Sequence, residues 1–476
     1  MSNIHAENTS FRHPAWSGEI GIATLDITPP VGIYARCWGA SSYDTADQIH
    51  RRLTLNVLVL RSQPQEAPVV LVDGDLPWWQ TIETFTNIQS SVLGEFSLPK
   101  ENFWLAVSHT HAAPPLVEVD PSAAGAKLHA AWLDRLRQSI LSGIHQALQH
   151  TFSGTIDWKL GKCDLAANRD FPDPDDPRIL CGFNPDGTAD DTLLIGRITD
   201  QARQTRGVIV NYACHPTTLA WENRAISPDF LGAMREHIES LEGVTPFFLQ
   251  GASGELAPRH QYVADTSVAD RHGKQLAYAV LSTLHAMEPP GQQLEYRRVT
   301  ESGAPLAVWQ HAPSHSNPKL SAAHTTVSLP LKHWPTAAEF DRQRVACIDR
   351  ALQERLRRKR DIRRTLGDGE SFELSLWAWR LGDVVWVGTM AEAYSELQTE
   401  LRRRFPGTTI VCMNLLNGSI GYLPPASAYH LDLYPVTQTP FGEGCLELTI
   451  DALTELVEQL LAKPASSVPG PFVSAR

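Results

Sequence analysis

The sequence predicts an α/β fold, a single large mixed-sheet domain with flanking helices. Three observations lead there. Apolar runs of strand length alternate with amphipathic helical segments from residue 18 to residue 463. No low-complexity linker or internal repeat interrupts the 476 residues. The 42% of apolar residues is enough for a large core, although length alone would allow about two to four domains. The expected organisation is an N-terminal extension (1–17), a single globular domain (18–465) and a loose tail (466–476).

Taken in order, residues 18–30 (GEIGIATLDITPP) read as a strand stopped by a proline turn. The runs 53–60 and 67–75 read as paired central strands, and a helix follows from Thr81 to about Leu93. Residues 102–111 (NFWLAVSHTH) read as a strand whose end carries two histidines. Residues 126–149 repeat apolar side chains at helical spacing. The Asp-, Pro- and Gly-rich stretch 164–192 reads as a loop before strand character resumes in LLIGRITD. Residues 206–216 form another buried strand, ending in His215 and Pro216. A helix is expected from Ser227, with Ser as N-cap and Pro in its first turn. Residues 300–335 should hold one or two strands. Thr336 and Glu339 have capping-box spacing, predicting one long helix to about Arg364. LSLWAWRLGDVVWVGT reads as a hairpin turning at Gly382-Asp383, and helices near 391–404 and 446–463 bracket the strand TTIVCMNLL.

Composition narrows the class. A net charge of −12 does not favour nucleic acid or an anionic membrane as partner. Collagen-like, coiled-coil and disulfide-framework classes do not fit. The seven cysteines are scattered without a CxxC pair, as expected of small buried hydrophobes in a reducing cytosol. The polar N-terminus lacks a signal-peptide core, and no apolar run approaches the ~18 residues of a bilayer span. The expected location is the cytoplasm, without a membrane anchor.

Four segments are candidates for chemistry. His109 and His111 are two apart, so on extended backbone their imidazoles project to one side at a strand end. His215 ends a second apolar strand. Three histidines at two strand ends suit zinc completed by a carboxylate, although spacing cannot choose that carboxylate from 53 acidic residues. Around Phe248–Glu255, Gly251-Ala-Ser253-Gly254 lacks the GxSxG arrangement and reads as a glycine-rich turn lining a site; a Ser253 nucleophile is the weaker alternative. The basic run RLRRKRDIRR (355–364) reads as a solvated helix face beside an apolar stripe of Ile348, Leu352 and Leu356.

With these segments in order, the chain resembles the catalytic domain of the neutral ceramidase family, closest to its short bacterial members. SHTHAAPP (108–115) is similar to the family's T-H-T-H-S-G-P, and NYACHPTT (211–218) to its strand ending in H-P-T. SPDFLG (227–232), QGASGELAP (250–258), GTMAEAYSEL (388–397) and the tyrosine-rich NGSIGYLPPASAYHLDLYPV (417–436) follow in family order. The resemblance implies Zn²⁺ held by His109, His215, Glu392 and Tyr422, with His111 beside the metal for proton transfer. It implies further that Arg169 faces the substrate site and that Tyr434 contacts substrate, with Arg169 or Tyr434 polarising the carbonyl. The sequence departs from the pattern at Ala113, Ala391, Glu255 and Ala257, where the family has Gly, Gly, Asp and Ser. No segment reads as the family's immunoglobulin-like C-terminal domain. The implied activity is zinc-dependent hydrolysis of a linear N-acyl amide, on a small-molecule substrate more soluble than ceramide. An ester or cyclic amide as substrate, or a non-catalytic metal-binding role, stay open as alternatives, as does homo-oligomerisation.

Overall fold

A computed structural model describes residues 9–462. An eight-stranded mixed sheet has the spatial order Thr245–Gln250, Thr205–Tyr212, Thr192–Asp200, Thr151–Lys162, Ala15–Asp26, Thr54–Arg61, Val69–Gly74, Phe103–Val107. Its middle is antiparallel, and the pair at each edge is parallel. A parallel pair needs a crossover. Helices Ile82–Phe96 and Phe230–Glu242 supply the two crossovers here. A second sheet has the order Leu320–Pro330, Ser371–Leu381, Val384–Thr389, Thr409–Met413, and its parallel pair is bridged by helix Glu396–Arg404.

The expected large mixed sheet with flanking helices is present, and the second, smaller sheet shares its core. Trp104 of the large sheet stacks on Trp379 of the second at 4.0 Å between ring centroids, and Trp158 meets Trp386 edge-on at 5.6 Å. Backbone seams join them as well: Asn211 Nδ2 donates to Cys412 O at 2.8 Å, and Asn414 N to Gln250 O at 3.0 Å. The edges of the large sheet are drawn together through buried charge. Asp73 accepts from Phe248 N at 2.8 Å, while Arg235 pairs with Asp73 at 2.9 Å and Asp75 at 3.3 Å.

Several expected elements are present: the paired central strands, the helix Ala126–Gln149, and the hairpin turning at Gly382-Asp383, where Gly382 takes a φ of +61°. Others differ for local reasons. The first long strand starts at Ala15, inside the expected extension. Asp229, not Ser227, caps the helix Phe230–Glu242, its side chain accepting from Phe230 N; Pro228 therefore precedes the helix. The stretch 164–192 holds three short strands, and 292–330 holds three longer ones. The expected long helix is two, Ala337–Ala346 and Arg350–Leu366, because Asp349 takes extended backbone and caps the second through Leu352 N. The expected tail lies outside the described residues. Among the described residues no helix is long and apolar enough to cross a membrane.

Candidate metal centre and cleft

The carboxyl ends of three parallel strand pairs, two from the large sheet and one from the second, point to one place. Open α/β sheets bind ligands at such ends because the connecting loops diverge there. His109 follows Phe103–Val107, His215 follows Thr205–Tyr212, Glu392 follows Val384–Thr389, and Tyr422 follows Thr409–Met413. Glu392 and Tyr422 face each other as register partners in a two-residue parallel ladder.

The His109–His111 pair is not on extended backbone, contrary to expectation. His109 takes a φ of +68°, held by Ser108 N to Gly74 O at 2.8 Å and His109 N to Leu76 O at 2.9 Å. A left-handed residue replaces the strand pleat, yet the imidazoles still meet, with Nε2 atoms 3.4 Å apart. Thr110 between them donates its hydroxyl to Ser227 O at 2.7 Å, anchoring the turn.

His215 decides the chemistry of the cluster. Its Nδ1 lies 2.6 Å from Ser253 O and 3.2 Å from Leu256 O. Carbonyl oxygens only accept, so Nδ1 carries the hydrogen and Nε2 offers a lone pair. That Nε2 sits 3.2 Å from Glu392 Oε2, and His109 Nε2 sits 3.4 Å from the same oxygen. Burial, reinforced by nearby Arg169, pushes His215 down to about 3, which keeps its ring neutral. Glu392 is disfavoured by burial but held well below the usual carboxylate range by the two facing histidines. The ring nitrogens of two buried imidazoles and a carboxylate oxygen thus converge within 4.8 Å of one another. Such a set repels itself unless a cation sits among it, and neutral imidazole with carboxylate is the donor set of a divalent metal site.

Arg169 comes from a short strand, Ala166–Asn168, that pairs with Leu256–Pro258. It is buried, and its guanidinium donates to Gly254 O at 2.6 Å and to Tyr422 OH at 3.2 Å. The backbone at Gly254 passes so close to the Glu392–Ala393 strand that a Cβ there would lie 2.7 Å from the Tyr394 ring and 3.1 Å from the Ala393 carbonyl carbon. Tyr434 meets Tyr422 edge-on at 5.8 Å. The geometry therefore brings His109, His111, His215, Glu392, Tyr422, Arg169 and Tyr434 together. Ser253 stays apart: its buried hydroxyl accepts from Gln250 Nε2 at 2.7 Å, and its carbonyl is the group that orients His215. Ala257 is buried in the ladder beside Ala167.

A cleft of about 620 Å³ opens from His109, His111 and Glu392 toward Trp78 and helix Arg350–Leu366. This wall corrects the reading of the basic run. Glu354 and Asp361 are buried, as are Arg363 and Leu366, whereas Ile348 is 100% exposed and Leu352 43%. The expected apolar stripe faces outward because arginines and carboxylates at helical spacing neutralise one another inside: Glu354 binds Arg357 at 2.7 Å and Arg358 at 2.9 Å, and Asp361 binds Arg357 at 3.1 Å. Arg358 then reaches the cleft. The sequence reading missed it, together with Trp78 and Gln438. The available signal was acidic residues seven apart, Glu354 and Asp361, with basic residues between them.

A scan against protein-family models and a search of curated proteins find no match. Solved structures do match. A ceramidase complexed with C2 aligns at a TM-score of 0.63 and 16% identity, covering 96% of this chain and 77% of that one. A neutral ceramidase from Pseudomonas aeruginosa aligns at 0.62 and 17% identity, covering 97% and 78%. The chain has the neutral ceramidase fold. Identities of 16% and 17% make this a likeness of fold. The arrangement of side chains has to carry the chemistry.

Proposed function

We propose that the chain is a zinc-dependent amidohydrolase that cleaves a linear N-acyl amide with water. The observation that carries this reading is the fixed tautomer of His215, which aims a lone pair at the Glu392 carboxylate beside a second imidazole. His109, His215, Glu392 and Tyr422 would hold the ion. When bound, a divalent ion there supplies Lewis-acid polarisation and a water acidic enough to react at neutral pH.

The chain's own groups do the rest. Burial first, and the neighbouring His109 and His215 second, hold His111 well below the ordinary histidine range, so its ring is neutral and begins as a proton acceptor. It takes the proton from the attacking water and returns it to the departing amine, leaving a carboxylic acid and an amine. Arg169, fixed on Gly254 O, supplies positive charge where the carbonyl oxygen becomes negative. Tyr434 packs against the substrate at the rim. The fold neighbours described as ceramidases support an amide as the bond cleaved. Free cysteines and the net charge of −12 support a cytoplasmic enzyme of a small soluble amide, built as one catalytic domain over residues 18–465.

Metal analysis coupled to a screen of N-acylated amines and their matched esters tests this reading. The expected result is about one equivalent of zinc and faster turnover of the amides. Hydrolysis restricted to esters, or undiminished after chelation, would overturn it.

A further inference from the structure

The cleft is asymmetric in charge. Among the described residues, the charged groups lining it besides the histidines are Glu392, which faces the imidazoles, and Arg358. Arg358 is held in place. Its Nε donates to Glu354 Oε1 at 2.9 Å, its Nη2 donates to the Cys37 carbonyl, and its guanidinium carbon lies 4.9 Å from the centre of the Trp78 ring. None of these contacts uses Nη1. Glu354 is shared between Arg358 and Arg357, and Arg357 also reaches Asp361, so Arg358 keeps Nη1 available toward the cleft while the helix stays neutralised behind it.

Trp78 links this arginine to the reacting end. The same indole lies 4.8 Å from the His111 ring and 5.5 Å from the His109 ring. A guanidinium stacked on an indole is pre-organised and recognises planar anions with little further ordering. One tryptophan separates cation from imidazoles, so the anion it would take belongs to the same short molecule as the scissile amide.

We propose that Arg358 is a specificity-determining residue that binds a carboxylate on the amine part of the substrate, making N-acyl amino acids the preferred substrate class. The proposal rests on the amidohydrolase reading and deepens it. An uncharged amide offers no anion to Nη1 of the arginine, which is otherwise held by Glu354 and the Cys37 carbonyl. A carboxylated one forms a charge-assisted hydrogen bond with it.

The test compares kcat/KM for an N-acylalanine and the matched N-acylethylamine, which differ by the carboxylate, in the zinc-loaded full-length protein. The native chain should prefer the acid by at least about 10-fold, the lower end of what hydrogen bonds to charged groups contribute. In Arg358→Gln that ratio should fall toward one, chiefly through KM on the acid, and Arg358→Lys should restore part of it. A native ratio near one, or a ratio unchanged in Arg358→Gln, overturns the proposal. Thermal unfolding with the N-acylalanine added separates the two readings. If neither amide is cleaved but the acid raises Tm in the native chain and not in Arg358→Gln, the hydrolase reading fails and the carboxylate site stands. If the acid produces neither turnover nor a Tm shift, the carboxylate site fails.

Discussion

Around Glu392, two imidazoles and a carboxylate converge, whereas along helix Arg350–Leu366 each buried carboxylate meets arginines. Both regions line the same cleft and both bury polar groups. The first is left short of positive charge and the second is neutralised from within. An uncompensated set needs a ligand, while a compensated one serves the fold. The difference separates what holds the molecule together from what it holds.

The largest contrast should come from removing one group on each side. His215→Ala should slow amide hydrolysis by about 10³-fold or more and strip the metal, at small cost to the stability of the metal-free chain. Hydrolysis rates, metal content and urea titration read these effects. Glu354→Ala should do the reverse, leaving the metal bound but destabilising the fold by about 3–5 kcal/mol, because two arginines lose a buried partner. Acid should act in the same direction. Despite burial, Arg358 and Arg357 hold Glu354 at about 2 against an ordinary value of 4.5. Its contribution is therefore full above 4.5 and is lost as pH falls from there toward 2. A flat stability curve across that window, relative to Glu354→Gln, would blur the contrast.

A smaller effect sharpens the centre itself. Arg169→Met should lower kcat on amides by about 10²-fold while zinc stays bound, as expected for loss of one preorganised donor to a developing oxyanion. Zinc lost together with activity would mean that Arg169 works by holding Tyr422. The smallest expected effect lies behind the cleft. Burial, opposed by two hydrogen bonds from Ser395, pushes Glu255 up to about 7. The folded chain therefore holds that proton more tightly than the unfolded chain, and stability should decline as pH rises from 4.5 to 7. Thermal unfolding of Glu255→Gln should gain on the native chain over that window by of order 1–3 kcal/mol.

The two regions also differ in how legible they were. His109, His111 and His215 stand at the ends of apolar runs, so their positions followed from strand patterning, even though the left-handed backbone at His109 did not. Glu392, Tyr422, Arg169 and Tyr434 came only from the resemblance. Nothing in their local sequence says that a two-residue ladder sets Glu392 beside Tyr422. The helical wall was misread because a basic run is ordinarily solvated. Pattern reading scores each charge alone, and here burial follows from Glu354 and Asp361 pairing with arginines one turn away. Likewise, the second sheet could not be told from the first, since both are built of apolar strands and meet through tryptophans.

The central claim is that the electron pairs at His109, His215 and Glu392 hold the ion that hydrolyses an amide. It is tested most directly by titrating zinc into metal-stripped protein while following turnover of an N-acylated amine. The account predicts that activity returns in proportion to zinc and saturates near one equivalent per chain, with no recovery in Glu392→Gln at the same zinc. Full activity in the stripped protein, or equal recovery in Glu392→Gln, would contradict it.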